Sequence, residues 1–257
     1  MSDDQIIYEQ PLNELVRVSL RLEMLFQQVD LCLKSPNFDD HIQTLMKLMI
    51  DILNVLNRPD LKSKLTIEFN RFIEYFNRLE KIPEVSHETL KQTIKQLKYL
   101  LTHFLNTPGK IGQHLRSSEF IALMRQNLMS PGCDSHFDAP YYYCWLQQPE
   151  KNHQEQIKKW LSSFDEIHEA INLLLSIIRH SSEPRKLIAE KGFYHETLNP
   201  QASIQLICVA FPKKIKLYPE ISAGRHRMSI RFVIPNIEAR PRQTTDDVSF
   251  QLTLCTV

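Results

Sequence analysis

Apolar residues recur at three- and four-residue intervals through the first two-thirds of the chain. They then give way to short alternating runs. Leu12, Leu15, Ser19, Leu22, Phe26 and Val29 form one such stripe, and Ile42, Leu45, Met49, Ile52 and Leu56 form a second after Pro36. Leu65, Phe69, Phe72, Phe76 and Leu79 supply a third, Pro83 interrupts it, and Leu90, Ile94, Leu97, Leu101 and Phe104 supply a fourth before Pro108-Gly109. No glycine precedes Gly109, so these stripes predict uninterrupted amphipathic helices packed as an antiparallel bundle. Beyond Gly109 the pattern predicts a short helix over Phe120 to Leu128, a Pro131-Gly132 turn and an aromatic cluster of Tyr141, Tyr142, Tyr143 and Trp145. One last helix is predicted over Ile157 to Arg179.

After Ser181-Ser182-Glu183-Pro184 the period changes to two. SIQLICVAF from Ser203, MSIRFVI from Met228 and DVSFQLTLCTV from Asp247 are β-branched or alternating, and Pro212, Pro219, Gly224 and Pro235 separate them. The expected architecture is α+β: a helical bundle and dimerisation domain over residues 1–181, and an antiparallel β domain with a basic face over residues 182–257.

Composition narrows the possibilities. The chain is 42% hydrophobic and 24% charged, as in an ordinary folded protein, and it has no apolar run long enough to span a bilayer. Its acidic first residues do not resemble a signal peptide, so a cytoplasmic setting is expected. Five cysteines without a C-x-x-C pair suggest reduced thiols rather than disulfides or a zinc site, and the scattered histidines contain no H-x-x-x-H. Five separated glycines disfavour a phosphate loop. Cys144 with His136 or His153 could in principle form a thiolate–imidazole pair, but its aromatic surroundings favour an inert thiol. Asp39-Asp40 and Asp246-Asp247 read as turn or helix-start residues. No cofactor, metal or catalytic residue is expected, and the chain reads as an interaction protein rather than an enzyme.

The net charge of +1 hides an uneven distribution, because residues 211–242 hold eight Lys or Arg against two Glu. After the turn at Gly224, Arg225, Arg227 and Arg231 alternate with Met228, Ile230 and Phe232, which on a strand places the arginines on one face and the apolar residues on the other. Such a row repels itself unless acidic neighbours or an anionic partner neutralise it. Arg17 and Arg21, one turn apart, and Arg116 and Arg125, flanking FIALM, are further cations, with Glu14 placed to pair with Arg17.

Four segments in order, YEQPLNELVRVSLRLEMLFQQ, IGQHLRSSEFIALMRQ with PGCDSHFDAPYYYCWL, KGFYHETL, and LYPEISAGRHRMSIRF, resemble the ZapD (YacF) family of cell-division proteins. The resemblance implies a homodimer that binds the C-terminal tail of the tubulin-like GTPase FtsZ and cross-links or bundles its protofilaments at the mid-cell division ring during septation. It also implies a basic peptide site using Arg225, Arg227 and Arg231, with Arg58 as a wall, and a bundling or dimer surface that includes Arg21 and Arg116. Neither membrane nor nucleic acid is implied as a partner. Pro131-Gly132-Cys133 stands where the family carries a glycine pair before cysteine. Tyr143 stands where some members carry histidine, so no role of that histidine transfers. The rival reading is a nucleic-acid-binding module using the same basic sheet, for which Phe211 and Tyr218 offer few stacking rings.

Overall fold

The computed structural model describes residues 4–58, 60–80, 87–127 and 136–256. The Pro83 interruption, the Pro131-Gly132 turn with Cys133, and Leu128 lie outside these residues. The fold is α+β, and the chain divides into two compact units. One contains residues 18–174, and the other joins the segment up to Arg17 to everything from Leu175 onward.

The helical unit follows the predicted stripes. Helix α1 (Glu14–Leu33) starts where the Asn13 side chain accepts the Val16 amide at 2.8 Å, satisfying one of the helix's orphan N–H groups. Ser19, Leu22, Phe26 and Val29 are buried as the spacing requires, whereas Leu15 is only half-buried and Val16 and Val18 take its place. Helix α2 (Ile42–Val55) has eight buried residues rather than a single stripe, so it runs through the centre of its unit. Asp39 and Asp40 open the 3-10 turn before it, as the sequence suggests.

Helices α3 (Leu61–Leu79) and α4 (His87–Asn106) are antiparallel: Lys62 reaches Thr107 at one end, Phe69 meets Phe104 at 6.5 Å, and Glu80 lies 3.9 Å from Lys91 at the other. Two short helices, α5 (Gln113–Arg116) and α6 (Glu119–Asn127), precede α7 (Pro140–Leu146). The final predicted helix is divided into α8 (Glu150–Leu161) and α9 (Asp165–Arg179) by a 3-10 turn over Ser162–Phe164. The Ser162 hydroxyl donates back to the Lys159 carbonyl at 2.9 Å, which diverts the backbone. The apolar stripe continues through the break, with Ile157, Phe164 and Ile167 all buried, and so conceals it from a periodicity argument.

The second unit departs from the expected boundary at residue 181. Strand β1 (Gln5–Pro11), at the start of the chain, pairs antiparallel with β4 (Ile204–Pro212), from Gln5 opposite Pro212 to Pro11 opposite Leu206. Residues 5–11 therefore belong with the β domain, because a long-range ladder leaves no local periodicity to read. β8 (Val248–Thr256) and β2 (Arg185–Ala189) complete an antiparallel sheet of order β1-β4-β8-β2. A second sheet has the order β3-β6-β5, from β3 (Phe193–Thr197), β6 (Arg227–Ile234) and β5 (Tyr218–Ala223), and the two-residue β7 (Arg242–Gln243) pairs with the end of β6.

The core of this unit brings together inward residues of both sheets. Phe232 of β6 meets Phe211 at 5.4 Å and Phe250 at 5.3 Å, and Met228 and Ile230 are buried beside it, as the alternation requires. Gly192 sets the register of β3 against β6. Its φ is +72°, its carbonyl accepts the Phe232 amide at 2.8 Å, and an added Cβ would lie 2.5 Å from Thr244 Cγ2 and 2.8 Å from the Thr244 carbonyl. Asp247 steadies the preceding turn by accepting the Lys191 amide at 2.8 Å.

Gly192→Ala is expected to destabilise the β unit by about 2 kcal/mol or more, since it adds left-handed strain to a backbone clash. Denaturant unfolding followed by a probe in this unit would measure it, and an unchanged midpoint would contradict the assigned geometry.

Candidate functional site

The outer face of the β3-β6-β5 sheet carries Arg227 and Arg231, whose neighbours the strand register fixes, whereas Arg225 lies in the turn before β6 rather than on the strand as the alternation suggested. Arg231 lies between Phe193 on β3 and Glu220 on β5, Ser229 lies between His195 and Ser222, and Arg227 lies opposite Thr197 at the end of the ladder. Arg231 is already paired: its Nε donates to Glu220 Oε2 at 3.0 Å, and Nη2 also reaches that oxygen. Half-exposed on both sides, this pair contributes little stability, but it cancels the charge at the centre of the face.

Arg225 and Arg227 differ from Arg231. Both are exposed at the β5–β6 turn, which is closed by the Gly224 amide donating to the Arg227 carbonyl at 3.0 Å and by the Leu198 amide donating to the His226 carbonyl at 2.9 Å. Neither has a carboxylate partner among the described residues. Two uncompensated guanidiniums on a hydrogen-bonded turn can grip a carboxylate with little reorganisation.

The eight cations of residues 211–242 do not form one patch. β5 and β6 run antiparallel with Tyr218 opposite Val233, so Lys213, Lys214 and Lys216 enter at the Val233 end, where Arg242 also pairs opposite Ile234. Arg225 and Arg227 occupy the other end of β6, about 20 Å away at the usual rise per residue.

Two further residues of this face escape a charge-based reading. Phe193 is 43% exposed and stacks on His195 with ring centroids 5.9 Å apart, beside Arg231 and Ser229. The alternation of Phe193, His195 and Thr197 with Tyr194 and Glu196 would have revealed them had KGFYHETL been read as a strand.

Tyr194 and Glu196 tie the sheet edges together. Glu196 accepts the Tyr194 hydroxyl at 2.8 Å and Arg185 of β2 at 2.9 Å. Burial and the hydrogen bond to Glu196 push the Tyr194 phenol up to about 12.

The remaining predicted residues lie elsewhere. Arg58 is half-buried in the helical unit, where it lines a small cavity with Lys62 and Lys110. Arg21 is exposed on α1, while Arg17 is paired with Glu14 at 2.9 Å as expected. Arg116 is half-buried, and its Nη2 donates to the Leu53 carbonyl at 2.6 Å, near the end of α2 where a cation suits the helix dipole. Its Nε and Nη1 are buried without a partner among the described residues, and burial together with Arg125 lowers its pKa.

Of the residues considered for a Cys144 dyad, His153 is buried with Nε2 2.8 Å from the Trp145 carbonyl, His136 packs on Tyr143 with ring centroids 5.8 Å apart, and Cys144 is exposed. Among the described residues no three His, Cys, Asp or Glu converge as a metal site. The fold does bring together Cys208 and Cys255, whose sulfurs lie 4.0 Å apart across β4 and β8, beside the ion pair of Glu9 and Arg179. The hydrogen bond to Cys255 and burial push the Cys208 thiol up.

A helical unit and a β-sandwich with a basic turn define an α+β protein. A family model described as "ZapD: Cell division protein" matches residues 20–231, and the chain belongs to that family. Proteins named "Cell division protein ZapD" from Coxiella burnetii are 36% identical over 255 residues, 98% of either chain. Those from Azoarcus sp. (strain BH72) and Nitrosomonas eutropha are 33% and 32% identical over 252 residues, covering 98% of this chain and 100% of theirs. The family is one of cell-division proteins. No helix among the described residues is long and apolar enough to cross a membrane.

The raised Tyr194 pKa implies a definite pH dependence. Its contribution is fully present below the ordinary tyrosine value near 10 and is lost as pH rises through about 12, because only the unfolded chain ionises readily in that window. Tyr194→Phe should flatten the fall in stability between those values, and denaturation at stepped alkaline pH would show whether it does.

Proposed function

We propose that this protein is a cytoplasmic, non-enzymatic adapter of the division machinery. It binds the C-terminal tail of FtsZ and, as a homodimer, cross-links or bundles protofilaments at the mid-cell ring. Family membership supplies the cell-division setting, and the observation that carries the binding site is the uncompensated Arg225–Arg227 pair at the end of β6. A tail carboxylate docks at this pair, and Phe193 and His195 offer an apolar surface further along the same face.

Arg231 contributes indirectly: it masks Glu220, which would otherwise repel an acidic peptide. Arg58 in the helical unit is a second basic contact, and exposed Arg21 is better suited than half-buried Arg116 to a bundling or dimer surface. A tail that orders on binding keeps each site weak, about micromolar, and a dimer gains avidity on a polymer that displays many tails.

Fluorescence anisotropy with a labelled tail peptide tests the site. Arg227→Glu should weaken binding about tenfold or more, added salt should weaken the wild type, and Glu220→Gln should tighten binding about two- to fivefold by releasing Arg231. If binding is indifferent to all three changes, the basic-turn mechanism is wrong. Co-sedimentation tests the assembly step: the protein should pellet with FtsZ polymers and thicken their bundles, and filaments lacking the tail should leave it in the supernatant.

The exposed Phe193–His195 stack beside an arginine also suits single-stranded nucleic acid. A mobility shift at physiological salt would favour that reading.

A further inference from the structure

The helical unit holds a cleft of about 510 Å³ framed by the start of α3, the end of α4, the loop Thr107–Gly112 and the start of α9. This volume lies within the usual range for small-molecule sites. Its two lysines meet only neutral acceptors among the described residues. Lys62 Nζ donates to the Thr107 carbonyl and Lys110 Nζ to Asn57 Oδ1 at 3.4 Å, both neutral acceptors, and neither ammonium has a carboxylate partner among the described residues. Each ammonium has three donors, so both keep N–H groups for a ligand. Two imidazoles join them: His114 Nε2 lies 2.8 Å from Ser163 Oγ, and His103 Nδ1 lies 4.0 Å from Glu166, the one acid lining the cleft.

The loop is held firmly. Gly112 has φ +70°, and a Cβ there would come within 2.9 Å of Leu53 and 3.2 Å of Phe164, so the backbone is seated directly on the helical core. Phe104, Ile111 and Ile167 also line the cleft, Phe104 and Ile167 showing only a small part of their side chains at its floor. Cations beside an apolar floor suit an anionic headgroup carried on a flat or apolar body.

We propose that this cleft binds a phosphorylated small molecule of nucleotide size, with its phosphates between Lys62, Lys110 and His114 and its body against Phe104, Ile111 and Ile167. The site is independent of the basic turn on the β unit. It also needs no glycine-rich phosphate loop, because side-chain cations take the place of backbone amides.

Calorimetric titration of the intact protein with adenosine triphosphate and, separately, with pyrophosphate tests the proposal. Saturable adenosine triphosphate binding with a Kd below about 1 mM is expected, tighter than for pyrophosphate, and Lys110→Ala and His114→Ala should each weaken it about fivefold or more. Both side chains are exposed, so these changes leave the fold intact. Arg227→Glu, in the other unit, should leave nucleotide binding unchanged. Any one of three results would overturn the proposal: no saturation up to about 5 mM, where even a millimolar site would fill; pyrophosphate binding as tightly as the nucleotide; or affinity retained in the Lys110→Ala/His114→Ala double variant.

Discussion

Phe232 occupies the point at which the two sheets of the β unit meet. Its ring is fully buried against Phe211 and Phe250 from the opposite sheet, its amide is accepted by Gly192, and its carbonyl accepts the Thr244 amide at 3.0 Å. Because successive side chains on a strand alternate in direction, fixing Phe232 inward fixes Arg231 outward, and with it Ser229 and Arg227. A one-residue slip of β6 would drive arginines into the aromatic core, so the packing that stabilises the sandwich also presents its charged face. Gly192 then determines which residues of β3 stand beside those arginines.

On that face, the density of basic residues matters less than which of them are already neutralised. Arg231 and Glu220 are opposed across β5 and β6, an arrangement that stabilises the sheet only slightly in water but quiets its centre. The open charge is left on Arg225 and Arg227 at one end of the strand, with Lys213, Lys214 and Lys216 at the other. Separated cations of this kind suit a small number of carboxylates on a flexible segment better than the long phosphate track of a nucleic acid, which needs charge along its whole length.

The helical unit shows the same division between cations that serve the fold and cations that remain available. Arg116 spends one donor on the end of α2 and buries two others, so removing it would disturb the helix packing as well as any surface role. Among the described residues, Lys62 and Lys110 meet neutral oxygens at the rim of a cleft and no carboxylate. A count of lysines and arginines treats these residues alike, whereas burial and partner identity separate them.

The sequence by itself determined the α+β class, the stripes of α3 and α4, and the outward direction of Arg227 and Arg231. Each of these follows from a local period that burial enforces within a single element. Its ordered motifs also pointed to the family. The tertiary structure alone decided that residues 5–11 belong with the β unit, that the last helix breaks at Ser162, and that Cys208 lies beside Cys255. It alone decided, too, that Glu220 neutralises Arg231 while Phe193 and His195 flank the arginine row, and that Lys62 and Lys110 share a cleft with two histidines. Cross-strand register and helix packing join residues far apart in the chain, and no local period encodes which partner each will meet.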